Sequence, residues 1–214
     1  VARAADDRPA PYQHGGRGIE PHPSGGRYVV VGLLWLLVAL GLSAFGQVAA
    51  WRPPVPQLVL AGLTALVLVA VVARPRFRQW IRALDLRWLV GLHLSRFVGI
   101  YFLVLHQAGQ LPFAFAVPGG WGDIIVAALA LLLLTAGSRL ESHRVLVGVW
   151  NTLGLIDIVF VVVTATRLAL GDPESMSALL RLPLSLLPTF LVPLIIVSHV
   201  LVYWRLGARE RRAE

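Results

Sequence analysis

VLVGVWNTLGLIDIVFVVVT, residues 145–164, is the stretch that decides the fold. Read as a helix, its twenty residues reach about 30 Å, the hydrocarbon thickness of a bilayer. One ionisable side chain, Asp157, interrupts it. A charge at bilayer depth costs several kcal/mol when unpaired, so Asp157 is expected to face a bundle interior, a cavity or a partner. Trp150, Gly154 and Asp157 fall on one helix face at spacings of four and three, with Asn151 beside it.

Five further apolar runs flank this one. They cover about residues 28–50, 57–72, 88–106, 122–136 and 182–203. The whole chain is 57% hydrophobic with a mean hydropathy of +0.74, too apolar for an ordinary soluble domain of 214 residues. The expected fold is all-α, a polytopic membrane protein with a compact six-transmembrane-helix bundle. Its domains are expected at residues 1–26 (a flexible polar tail without the apolar region of a signal peptide), 27–206 (the bundle) and 207–214 (an Arg-rich tail).

The 19 basic residues are all arginine, against 11 acidic ones. Their placement matters more than their sum. Arg74, Arg76, Arg78, Arg82 and Arg87 lie between spans two and three, Arg139 and Arg144 between spans four and five, and Arg205, Arg209, Arg211 and Arg212 after span six. The other side holds Arg52, Arg167 and Arg181. The positive-inside rule then places both termini in the cytoplasm and the chain in a bacterial cytoplasmic (inner) membrane. Anionic lipid headgroups, rather than nucleic acid, are the partners this charge calls for. Phe77, Trp80, Ile81, Leu84 and Trp88 recur at helical spacing opposite arginines, so residues 75–88 are expected to lie on that surface. Across the membrane, Asp172, Pro173 and Glu174 open a short helix running to about Arg181.

The remaining intramembrane polar residues are the candidate site. His93 and Arg96 share a face of span three; Thr189, Val192, Ile196 and His199 share one of span six. Counting 1.5 Å per residue puts His93, Asn151 and His199 roughly 6–9 Å deep, Arg96 a little deeper and Asp157 near the midplane. These depths allow one cluster of His93, Arg96, Asn151, Asp157 and His199, with Arg96 paired to Asp157. Such a network can simply orient helices, or form a path for protons or an anion. Matched depths of His93 and His199 also allow weak axial ligation of a haem b, the one cofactor the sequence suggests; no other metal site is expected. A second candidate site lies on the outer face, with His106, Gln110 and Asp123 near the start of span four, where Gly119, Gly120 and Gly122 suit a turn.

The chain lacks cysteine, a phosphate-binding Gly-rich loop with Lys, a His-Glu-x-x-His pair and a Gly-x-Ser-x-Gly elbow. The pattern favours a non-enzymatic role: an accessory or packing subunit of a larger inner-membrane assembly, respiratory or photosynthetic. The alternatives are a b-haem or proton-relay protein and a small-solute carrier or sensor.

LHLSRFVG (92–99), LPFAFA (111–116), GGWGD (119–123), WNTLGLID (150–157) and PTFLVPLI (188–195) together resemble a group of small bacterial multi-span integral membrane proteins of unassigned function. The resemblance covers roughly the second half of the chain and implies a multi-span membrane protein without implying a chemistry.

Overall fold

The computed structural model describes residues 25–135 and 137–210, without the side chains of 138, 139, 141 and 208–210. The described residues are helical and contain no strand. Six spans cross the bundle: α1 (Gly25–Ala44), α2 (Val55–Ala73), α4 (Leu86–Gln107), α5 (Phe113–Thr135), α6 (Arg144–Gly171) and the last, Leu187–Gly207. Between α2 and α4 lies the short α3 (Pro75–Ala83). The last span opens with a π turn, Leu187–Leu191, and continues as α7 (Val192–Glu210). The all-α six-helix bundle expected from hydropathy is the observed architecture. Of the tail expected at residues 1–26, residues 1–24 lie outside the described part, as do residues 211–214 and the side chains of Arg139 and Arg209, whereas Gly25 and Gly26 open α1.

Several boundaries move. α1 begins at Gly25 and ends at Ala44, six residues before the expected end at Ala50, because Gly46 adopts φ 71° and turns the chain. α6 runs on to Gly171. The last span starts at Leu187 rather than Leu182, since Pro183 and Pro188 lack the N–H groups a helix needs there. The largest change is α5. It begins at Phe113 and carries Pro118, Gly119 and Gly120 inside the helix, not in a turn before it. Packing against neighbouring helices makes such breakers tolerable in a membrane.

α3 is the amphipathic surface helix anticipated from its spacing, but it stops at Ala83. Asp85 then caps α4 by accepting a hydrogen bond from the Arg87 backbone N–H at 2.8 Å, which places Trp88 in α4. Phe77 and Trp80 stack on each other, and Tyr28 of α1 packs at a tilt against both. Arg205 of α7 donates to the carbonyls of Ile81, Arg82 and Leu84, and Arg82 lies 4.2 Å over the Trp204 ring. The start of α1, the Arg-rich α3 and the end of α7 therefore share one end of the bundle. At the other end, Asp172 accepts from the Glu174 N–H at 3.2 Å and starts the short 3₁₀ helix Glu174–Leu180.

The core lies between α4, α5, α6 and α7. At the arginine-rich end it is built from Val90, Val126, Ala130, Val147, Trp150 and Val202; at the other end from Phe102, Phe115, Ala116, Val161, Met176 and Leu184. Between these two apolar layers sits a polar one.

Candidate functional site

α4 and α5 touch backbone to backbone. A Cβ on Gly120 would lie 2.8 Å from the Gly99 carbonyl oxygen, and one on Gly99 would collide with the Gly120 carbonyl. Small residues permit this closeness between helices in a membrane. The two helices are consecutive and antiparallel, so residues one turn away on each side of the crossing also meet. Arg96 precedes Gly99 by three; Asp123 follows Gly120 by three. Arg96 Nε donates to Asp123 Oδ1 at 2.6 Å, a charge-assisted bond with both side chains buried.

The rest of the guanidinium reaches α6. Arg96 Nη2 donates to Asp157 Oδ2, and Nη1 to the Gly154 carbonyl at 2.9 Å. Gly122 makes room for this, because any Cβ there would strike the Asp157 carboxyl. One arginine thus joins three helices through two carboxylates and a carbonyl. Asp157 is the less enclosed carboxyl, its side chain 15% exposed against 4% for Asp123. α4 is not α-helical where it carries this residue: His93–Val98 form a 3₁₀ segment between two α-helical stretches, a departure that often marks a functional position.

Toward the arginine-rich end lies an imidazole pair. His93 and His199 are fully buried, with ring centroids 4.5 Å apart and Trp150 packed edge-on to His93 at 4.8 Å. Their partners fix their tautomers. Asn151 Nδ2 donates to the His199 carbonyl at 3.1 Å, so Asn151 Oδ1, 2.9 Å from His199 Nδ1, must accept from that ring. The Ser198 hydroxyl donates to the Ile195 carbonyl at 2.7 Å, so its oxygen accepts from His93 Nε2 at 2.9 Å. Each neutral ring is left with one bare nitrogen, Nδ1 of His93 and Nε2 of His199, and both are buried without a hydrogen-bond partner. The His199 ring rests on Gly154, where a Cβ would come within 2.7 Å of Cε1. Gly154 therefore borders both the triad and the imidazoles.

The expected cluster of His93, Arg96, Asn151, Asp157 and His199 is assembled by the structure, with the anticipated Arg96–Asp157 pair at its centre. Two members escaped the sequence reading, Asp123 and Ser198. Asp123 was expected at the outer face with His106 and Gln110. It lies instead inside α5, because that helix starts at Phe113, nine residues before the expected start at residue 122. His106 braces the α4–α5 turn, its Nδ1 3.0 Å from the Leu111 carbonyl oxygen and its ring 5.7 Å from Phe113. Gln110 lines an open depression of about 620 Å³ with Glu174 and Arg181. The outer-face triplet is not a single site. Nor does a haem fit the histidines. Their rings are in contact, each is bonded to a side chain of the bundle, and no slot for a porphyrin separates them.

Residues 53–207 match the model of a domain of unknown function, DUF8737. The chain belongs to this family. The matched region takes in α2 through the last span and every residue of the polar layer, whereas α1 lies before it. The family likeness is thus wider than the second half of the chain, since it includes the second span. No curated protein and no solved structure matches the chain.

Proposed function

We propose that this polytopic membrane protein binds and relays a proton within the bilayer, with Arg96, Asp123 and Asp157 as its centre. The observation that carries the reading is a charge count. One guanidinium faces two carboxylates, so the ionised triad carries one negative charge in excess. In a low-dielectric layer that excess must be balanced. The groups next to it with spare capacity are two bare imidazole nitrogens, which bind protons. Arg96 occupies one oxygen of each carboxylate, and Asp157 is the less enclosed of the two, so it is the one placed to take up and release the balancing proton, on its free Oδ1. His199 and His93 then supply acceptor sites from the triad toward the arginine-rich end, read as cytoplasmic. No covalent chemistry is required, and the role is non-enzymatic.

The expected membership of a larger inner-membrane assembly, respiratory or photosynthetic, receives no support particular to it from this geometry. The proton reading takes its place as the lead. It is tested in proteoliposomes carrying an internal pH dye, with a potassium diffusion potential as the driving force. The wild-type chain should acidify or alkalinise the lumen according to the sign of the potential, and Asp157→Asn should slow this about a hundredfold or more, the range for losing a positioned proton-transfer group. Wild-type vesicles no more permeable than protein-free ones would overturn the reading.

A further inference from the structure

The open depression that Gln110 lines stands at the end of the bundle opposite the arginine-rich one, and we infer that it seats the headgroup phosphate of a phospholipid, with Arg181 as the counter-ion. It measures about 620 Å³ and lies between α4, the α4–α5 turn, the outer 3₁₀ helix and the residues that follow it. Leu105, Leu111 and Leu184, all buried, form its apolar wall.

Two observations select the occupant. The first is a set of unspent donors. The Tyr101 hydroxyl, the Gln110 amide, the Ser177 hydroxyl and the Arg181 guanidinium all line the depression, and none has a hydrogen-bond or ion-pair partner among the described residues. Tyr101, Gln110 and Arg181 are exposed and Ser177 is half-buried, so a ligand reaches them. The carboxylate in the lining is engaged elsewhere: Glu174 pairs at 3.0 Å with Arg52, which does not line the depression. One positive charge and three neutral donors remain. They call for an anion rich in acceptor oxygens, and a guanidinium matches the oxygens of a phosphate two at a time. The second observation is position. Tyr101 precedes the end of α4, Gln107, by six residues, about 9 Å nearer the midplane by helical rise. It shares an exposed and otherwise apolar strip of α4 with Ile100 and Val104, and Leu182, also in the lining, is exposed as well. The depression therefore runs from the aqueous end of the bundle onto the lipid-facing side of α4, and tyrosine is a residue that gathers at headgroup level. A soluble anion has no use for that apolar flank. A phospholipid does, with its phosphate at Arg181 and the start of its acyl chains along Tyr101 and Leu182. None of these residues belongs to the triad, and the inference stands independently of the proton reading.

Photolabelling of the full chain tests it, in maltoside micelles that contain no phosphate. The probe is phosphatidylglycerol with a diazirine in its headgroup, and labelled residues are mapped by tandem mass spectrometry of the digest. The expected result is label within residues 108–112 and 174–182. Excess unlabelled phosphatidylglycerol should remove it, whereas neither a diacylglycerol with the same chains nor glycerophosphoglycerol, the soluble headgroup, should do so at the same concentration. Arg181→Gln should lower the label in these segments about tenfold, as expected for loss of a charge-assisted contact to phosphate. Arg181 is exposed and has no partner to lose, so this variant should melt with the wild type; competition in the wild type decides the matter even if it does not. Label absent from these segments, or unchanged in Arg181→Gln, would overturn the inference. So would competition by the diacylglycerol equal to that by phosphatidylglycerol, which marks a merely apolar seat, or equal competition by glycerophosphoglycerol, which marks a site for soluble phosphates.

Discussion

α1 and the α4–α5–α6 centre are equally apolar, yet they are held in opposite ways. α1 presents Val29, Leu33, Leu37 and Val38 outward and buries little beyond Ala39 and Ser43; its directional contacts include Trp35, whose Nε1 donates to the Thr189 carbonyl at 2.8 Å and whose ring meets Phe190, and Tyr28 against α3. Its glycines at 32 and 41 have open space around them. The centre is knit by a buried arginine, two carboxylates and glycines that bring backbones into contact. Lipid is as apolar as leucine, so hydrophobicity puts a helix into the membrane without telling it where to pack. Polar bonds and small residues supply that instruction, and they are concentrated in the part of the chain that the family match covers.

The sharpest way to break the centre is Arg96→Met. It leaves two carboxylates facing each other, and losing one partner of a buried ionic group costs about 3–5 kcal/mol. The variant should elute aggregated or melt far below wild type in detergent. Adding Asp123→Leu and Asp157→Leu to it should restore most of that loss, because replacing a whole buried ion group by apolar side chains is often neutral. A triple variant as unstable as Arg96→Met would show that the carboxylates have structural duties outside the triad.

Glycine substitutions sharpen the contrast. Gly99→Ala forces α4 from α5 and should cost about 1–3 kcal/mol, the range for overpacking a filled interior. Trp35→Phe removes a single hydrogen bond of α1, worth about 0.5–1.5 kcal/mol, and should leave the proton leak of the vesicles unchanged. Gly32→Ala, which meets no neighbour, should be neutral or stabilise α1 by about 0.5–1 kcal/mol through helix propensity. Melting temperatures of the three in one detergent give the order; a Gly99→Ala variant as tolerant as Gly32→Ala would contradict the close crossing.

Much of this was legible in the sequence, and the exceptions have physical causes. Six apolar runs declare six spans, and Asp157 and Arg96 declare their need for partners by depth alone. Helical spacing aligned Trp150, Gly154 and Asp157. Asp123 was misplaced because Pro118, Gly119 and Gly120 read locally as a break, whereas packing against α4 overrides their propensity. The usable signal was Gly99: a glycine three residues after a buried arginine, facing a glycine three residues before an aspartate on the next helix. Ser198 gave no such signal. A hydroxyl in an apolar helix ordinarily bonds to a carbonyl of its own preceding turn, as this one does with Ile195, and its second role toward His93 depends on tertiary placement.

In the proposed relay the triad holds one proton, on Asp157. Infrared spectroscopy of the protein in lipid at neutral pH, compared with Asp157→Asn and Asp123→Asn, tests it most directly. The account predicts a protonated-carboxyl stretching band in wild type that disappears in Asp157→Asn. Asp123→Asn leaves one carboxylate against one guanidinium, so the band should disappear there too. A wild-type spectrum showing both intramembrane aspartates ionised, with no such band to lose, would contradict the account.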